Sequence, residues 1–296
     1  QIFSARGEII LAAGAIGSPH ILQLSGIGPG ALSQLHGIDV TYDQPNVGKH
    51  MQDHLGINYF HKANRPTLNN VLGSWPHLLI AGVNYIMRRK GPLSLGVNQL
   101  GGLVRATPDA PRLDTQLYIN PITYRVTEPR RRRLTKPDKE AGFIFSFNAC
   151  RPHSTGSVSI KSPDPMDAPT ISGNYLDDPR DLKDVLRMAR FIGRMQHSRP
   201  VQQVLASEPD CDLLAMSDDA IIDDFKLRSG TVFHPCGTCR MGPDRQHAVV
   251  DADLRVYGVD RLRVADASVF PNITSANINA PTIMLAHKAA DLILQS

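Results

Sequence analysis

The two ends of the chain carry the pattern of one kind of sheet and the middle carries that of another, which limits the possible folds sharply. Near the start, Glu8-Ile9-Ile10-Leu11-Ala12-Ala13 is a short apolar run suited to a buried strand of a parallel sheet. Gly14-Ala15-Ile16-Gly17 turns the chain. Ser18 is placed to cap a helix and Pro19 to open it, and Ile21, Leu22 and Leu24 continue it as far as Gly26. Toward the far end, Leu254-Arg255-Val256 and Leu262-Arg263-Val264-Ala265 return to strand pattern. A turn-rich stretch runs from Asp266 to Asn279, and Pro281 opens a last helix supported by Ile283, Met284, Ala286, Ala290, Leu292 and Ile293. Between these ends, Leu113 to Ile119, Phe143 to Phe147 and Ser157 to Ile160 read as strands, the last two alternating. Asp178 to Met195 reads as a helix with Leu182, Val185, Leu186, Met188, Ala189 and Ile192 on one stripe. Thr127 to Glu140, with Arg130, Arg131, Arg132 and Arg133 among prolines, reads as a loop. The pattern implies one domain interrupted by another.

Composition narrows the function classes. With 296 residues, 42% hydrophobic and 20% charged, the chain has core enough for about two domains and is not a disordered, collagenous or coiled-coil sequence. Lys and Arg number 32 against 28 Asp and Glu, a net charge of only +4. The four-arginine run lacks interleaved aromatics and reads as a solvated loop, so no nucleic-acid partner is expected. Four cysteines do not build a disulfide scaffold. No apolar run reaches the ~18 residues that span a bilayer. A soluble protein, cytoplasmic or peripheral to a bacterial membrane, is the expectation.

Several motifs are bland when their context is read. Gly26-Ile27-Gly28-Pro29-Gly30-Ala31 has the letters of a dinucleotide loop but follows a helix and contains a proline, so it reads as a helix stop and turn. Cys236-Gly237-Thr238-Cys239 lacks both a second cysteine pair and an upstream His-x-Glu, which favours packing over zinc or redox chemistry. His50 and His54 stand four apart without the glutamate of a metalloprotease helix, and a hydrogen-bonded polar turn is the simpler reading; no metal site is expected. No serine lies in a G-x-S-x-G elbow. What remains is Phe233 to Gly242 together with Val264 to Pro271 and Asn277 to Thr282, stretches of small residues and isolated polar groups. Small residues let backbone approach a ligand, and a helix opening at Pro281 offers a positive dipole end. His234 has the right chemistry for proton abstraction, although on spacing alone a structural histidine is the commoner case.

At these residues the sequence resembles the glucose–methanol–choline (GMC) family of flavoprotein oxidoreductases, most of all its choline-dehydrogenase-like bacterial members. The resemblance is carried by four blocks: Ala12 to Pro29, Asn46-Val47-Gly48-Lys49-His50-Met51-Gln52-Asp53-His54, the His234 block, and Asp266 to Thr282. In the second block the family commonly has Asn-Leu where this chain has His50-Met51. The resemblance implies an α/β and α+β fold: an incomplete Rossmann-type FAD-binding domain (residues 1–62 and 229–296) interrupted by a substrate domain (63–228) with an antiparallel sheet flanked by helices. It implies FAD as cofactor and a small-molecule alcohol as substrate, oxidised to aldehyde or ketone by hydride transfer to flavin N5, with oxygen or a quinone as electron acceptor. His234 is the implied catalytic base and Asn277 its partner at the alcohol. Ala13, Gly14, Phe233, Asp266, Ala267, Ile278 and Asn279 are the implied cofactor-binding positions, and Gln52, Asp53 and His54 structural support. The family's N-terminal ADP-binding strand and glycine turn have no counterpart here. The expectation is therefore that these residues alone hold FAD weakly or not at all; completion by another chain supplying the N-terminal part, a truncated gene and a clipped protein all fit this, and a non-catalytic fragment or subunit unable to hold FAD alone is the alternative. A lyase activity in the same fold is a further alternative.

Overall fold

The computed structural model describes residues 4–96, 98–124 and 137–295. In chain order it forms β1 (Ile9–Leu11), α1 (Gly14–Leu24), β2 (Ile27–Gly28), α2 (Gly30–Leu35), β3 (Tyr42–Asp43), β4 (Leu55–Lys62), α3 (Leu68–Leu72) and α4 (Trp75–Arg88). There follow β5 (Leu100–Val104), β6 (Thr115–Asn120), β7 (Gly142–Ala149), β8 (Ser157–Ser159), β9 (Thr170–Ser172), α5 (Pro179–Gln196) and α6 (Arg199–Gln202). The last elements are α7 (Asp218–Arg228), β10 (Gly230–Thr231), β11 (Leu262–Val264) and α8 (Asn279–Leu294). This is a mixed α/β fold with an antiparallel sheet. The four-arginine run lies outside the described residues.

The chain divides into two units: residues 1–54, 151–178 and 232–296 in one, 55–150 and 179–231 in the other. The sequence reading put 151–178 in the middle domain; here it joins the end segments. The reason is Gln23, a buried side chain whose amide donates to the Val47 and Val158 carbonyls and accepts from the Ile160 N–H. This side chain pins the β8 segment beside α1. Gly48 makes the same approach possible, since at φ +83 a Cβ there would stand 2.1 Å from the Val158 oxygen.

In the first unit, β1 and β11 pair in parallel with Ile9 opposite Leu262 and Leu11 opposite Val264. Leu22, Val249, Val250, Val264 and Val269 pack in its core. α1 starts at Gly14, earlier than the expected cap at Ser18, and Pro19 lies inside it. An interior proline has no N–H to give the carbonyl one turn back. That carbonyl belongs to Ala15, and the buried Thr238 hydroxyl donates to it at 2.6 Å, so the helix runs through the proline. Ser18 instead donates its hydroxyl to Asp266. The strand expected at Leu254–Val256 shortens to isolated bridges, Arg255 with Arg263 and Val256 with Val250, just after a turn. The Asp251 carboxylate accepts from the Asp253 and Arg255 N–H groups and curls the chain, leaving Leu254 at φ 67.

In the second unit, a five-stranded antiparallel sheet has the order β10-β4-β7-β6-β5. Its register puts Ile57, Tyr59 and His61 of β4 beside Phe147, Phe145 and Phe143 of β7. This apolar face packs against α5 through Val185, Met188 and Ile192, all buried, and against Phe225 of α7. His61 stacks on Phe143, and burial pushes its imidazole down to about 4, so it is a neutral core residue. Under the same face, Asp224 accepts from the Tyr59 hydroxyl and from Arg228, whose guanidinium lies over the Tyr59 ring. The opposite face carries Asn58, Ser146, Asn148 and Tyr118 in neighbouring register.

Candidate active site

The site belongs to the first unit and is built on an antiparallel pairing of two short segments. Gln52 and Cys236 exchange both backbone hydrogen bonds, and the Val232 N–H donates to the His54 carbonyl. Between them the chain kinks. Phe233 takes φ 64, a conformation costing a bulky residue about 1–2 kcal/mol, and its ring is 68% exposed. The kink is held by the next residue: the His234 N–H donates to the buried Asp53 carboxylate at 2.9 Å. That carboxylate also accepts from the Tyr175 hydroxyl at 2.7 Å. Gly237, at φ +82, follows closely; a Cβ there would lie 2.7 Å from the His50 carbonyl.

The His234 ring is thereby presented with both nitrogens engaged. Its Nε2 lies 3.1 Å from the Asn277 amide nitrogen. Its Nδ1 lies 3.0 Å from Nδ1 of His54, a fully buried ring set edge-on at 86°. Burial, reinforced by His54, holds the His234 imidazole below the ordinary histidine range, with Asp53 pulling the other way. His234 is therefore neutral near pH 7, and the lone pair on its Nε2 faces the Asn277 amide.

Asn277 comes from a loop that the same scaffold anchors. The Gln52 side chain accepts from the Ile273 N–H and donates to the Pro152 carbonyl, and Arg151 donates to Ser275. α8 begins directly after Asn277 and Ile278. No side chain caps its N-terminus, and Asn279 and Ala280 there are exposed. The positive end of a 16-residue helix thus follows Asn277 in the chain without a side-chain cap.

The other implied cofactor positions gather around Asp266. Its carboxylate accepts from the Gly14 N–H at 2.9 Å, the Ser18 hydroxyl at 2.5 Å and the Ser268 N–H at 2.8 Å. It therefore supplies the anion for the N-terminus of α1. Gly14, at φ +79, has open space where a Cβ would stand, and Ala13 is exposed. Ala267 and Ile278 are buried in one apolar cluster. The structure thus brings His234 and Asn277 together, and separately Ala13, Gly14 and Asp266.

The remaining motifs are structural. His54 turns to His234 while His50 meets Asn46 at 3.0 Å, so the two histidines face different partners. Cys236 and Cys239 are buried free thiols. Burial, with Asp53 adding to it, pushes Cys236 up to about 12, and burial raises Cys239 as well. Neither is expected to react with iodoacetamide at pH 8 in the native protein, whereas both are expected to alkylate after denaturation. Mass spectrometry of the two samples checks this.

Two family models, both described as GMC oxidoreductase, match residues 1–56 and 152–286. The chain belongs to the GMC oxidoreductase family. It is 39% identical over 293 residues to an alcohol dehydrogenase [acceptor] of Pseudomonas putida, covering 98% of this chain and 51% of that protein. It is 36% identical over 295 residues to an oxygen-dependent choline dehydrogenase of Brucella anthropi, covering 98% and 52%. Among solved structures, a formate oxidase variant of Aspergillus oryzae RIB40, studied for modification of its FAD, superposes with a TM-score of 0.89 at 27% identity, over 98% of this chain and 54% of that one. A pyridoxine 4-oxidase matches with a TM-score of 0.78 at 28% identity, over 98% and 52%. The chain spans about half the length of the curated relatives it matches. Among the described residues, no helix is long and apolar enough to cross a membrane.

Proposed function

We propose that this GMC family member works in an FAD-dependent oxidation of an alcohol to an aldehyde or ketone, with His234 as the base. The observation that carries the reading is the 3.1 Å pairing of a neutral His234 Nε2 with the Asn277 amide, which sets a proton acceptor and an N–H donor side by side. The residues fit the cofactor. The open space at Gly14 lets a ligand approach backbone, and the uncapped start of α8 would favour negative charge on a group held there. Gly14 with Ala13, Asp266, Ala267, Ile278, Asn279 and Phe233 would hold it, in the incomplete Rossmann-type unit that the parallel β1–β11 pair suggests.

FAD, when bound, supplies the acceptor for the hydride that leaves the α-carbon. The rest is done by side chains. The alcohol oxygen takes over the Asn277 amide N–H that His234 Nε2 accepts in its absence, which frees the Nε2 lone pair and fixes the direction of the α C–H bond. His234 Nε2 takes the hydroxyl proton, so the oxygen can form the carbonyl, and its charge is eased by Asp53 nearby. Electrons would leave the site to oxygen, which one relative's name gives, or to another acceptor such as a quinone. The test is anaerobic mixing of the FAD-loaded protein with primary alcohols. Loss of the oxidised flavin band with formation of one carbonyl product per flavin is the expected outcome. Consumption of the alcohol without flavin reduction points to lyase chemistry instead.

A further inference from the structure

We infer that His54 is a positioning residue that fixes the tautomer of His234. The inference rests on the reading of His234 as the base. It follows from counting protons along two contacts. An amide nitrogen has no lone pair to offer, so Asn277 Nδ2 donates to His234 Nε2, and that nitrogen is the acceptor. A neutral imidazole carries one N–H, so the proton of His234 sits on Nδ1. The partner of that N–H, 3.0 Å away, is Nδ1 of His54, which must accept and therefore carries its own proton on Nε2. The chain of donors then has one direction, from Asn277 to His234 and from His234 to His54.

This direction has a consequence for chemistry. Only the tautomer protonated at Nδ1 has a lone pair on Nε2, the atom beside Asn277 where the alcohol proton is to be taken. The opposite tautomer would put an N–H there and leave the base facing the buried side. After the proton is taken, the Nδ1–H of the imidazolium still points at the His54 lone pair, and the bond becomes charge-assisted. His54 can serve only while neutral, because a proton on its Nδ1 would oppose the one on His234. The ionisable groups that shift the His234 imidazole are His54 and Asp53, so a pH profile of the base reports on both. His54 does not touch the substrate; it acts through His234. The two residues lie 180 positions apart and meet because the Gln52–Cys236 pairing aligns their segments.

The test uses the FAD-loaded enzyme with labelled histidine, and compares the wild type with His54→Leu and His54→Asn. Leucine fills the space without an acceptor, whereas an asparagine oxygen stands close to the position of the lost Nδ1. Nitrogen NMR of the His234 ring is expected to show a bare Nε2 and a protonated Nδ1 in the wild type and in His54→Asn, with the other tautomer rising in His54→Leu. The rate of flavin reduction by alcohol is expected to fall about tenfold in His54→Leu with KM nearly unchanged, and to recover within about threefold in His54→Asn. A wild-type His234 protonated at Nε2 overturns the inference, and so does a leucine variant with wild-type tautomer and rate. Should the leucine variant fail to fold, the wild-type and asparagine spectra still decide. Undiminished flavin reduction in His234→Ala would remove the catalytic reading, while the nitrogen spectra would continue to test the tautomer by themselves.

Discussion

His234→Ala is expected to leave FAD bound and to slow flavin reduction by alcohol about a thousandfold, within the range that loss of a positioned base gives. The argument depends on what the substitution leaves in place. The residue is anchored through its backbone N–H to Asp53, and its neighbours through the Gln52–Cys236 pairing. None of these bonds uses the imidazole. The kink at Phe233 and the loop bearing Asn277, held by Gln52 and Arg151, therefore survive. Alcohol can still be oriented by Asn277, so binding is expected to change little and the loss to fall on kcat. His54 loses a buried partner, at a cost of about 1 kcal/mol in stability. A variant that lost FAD or failed to fold would show instead that the ring is part of the scaffold. Stopped-flow reduction at saturating alcohol, with the flavin content measured beforehand, distinguishes these outcomes.

Asp266→Ala is expected to destabilise the first unit by about 3 kcal/mol or more, since it strands donors that have no alternative acceptor in place. The wild-type carboxylate satisfies the Gly14 N–H, the Ser18 hydroxyl and the Ser268 N–H at once, and both serine and aspartate side chains are buried. It is also the negative group at the start of α1, where the helix dipole favours it. Asp266→Asn offers one oxygen and an amide that meets donors with a donor, so it is expected to recover only part of the loss. Thermal unfolding followed by circular dichroism reads both variants. Equal midpoints for wild type and alanine would mean that water replaces the carboxylate without cost. Because Gly14 and Ala13 border the space assigned to FAD, the alanine variant is also expected to bind flavin more weakly.

The elements legible in the sequence are those whose evidence is local. α5 announces itself by a stripe of apolar residues at helical spacing, and the structure buries Val185, Met188, Ala189 and Ile192 of that stripe. β1 and β7 are apolar runs bounded by turns. Ser18 and Pro19 make a good local start for α1, five residues later than the observed cap at Ala13 and first residue at Gly14. The facts that override them are the Asp266 carboxylate and the Thr238 hydroxyl, both more than two hundred residues away. Leu254–Val256 has strand letters, yet Asp251 just before it supplies a turn. β4, with glycine, asparagine and histidine among its apolar residues, gives too mixed an alternation to stand out before β7 is laid beside it. For the site, composition and spacing reached only a candidate histidine; the pairing of His234 with Asn277 came from the family resemblance. The contact of His54 with His234 had no local signal, because nothing within either segment names the other.

The central claim is that an alcohol gives its proton to His234 and its hydride to the cofactor in one oxidation. Its most direct measurement is the anaerobic reduction of the FAD-loaded enzyme by a primary alcohol, with and without deuterium on the α-carbon. The account predicts that the flavin band bleaches with both alcohols, more slowly with the deuterated one, and that the limiting rate falls as pH drops and His234 takes up a proton. A flavin that stays oxidised in the presence of every alcohol, or a reduction rate unchanged by α-deuteration and by the loss of the His234 ring, would contradict it.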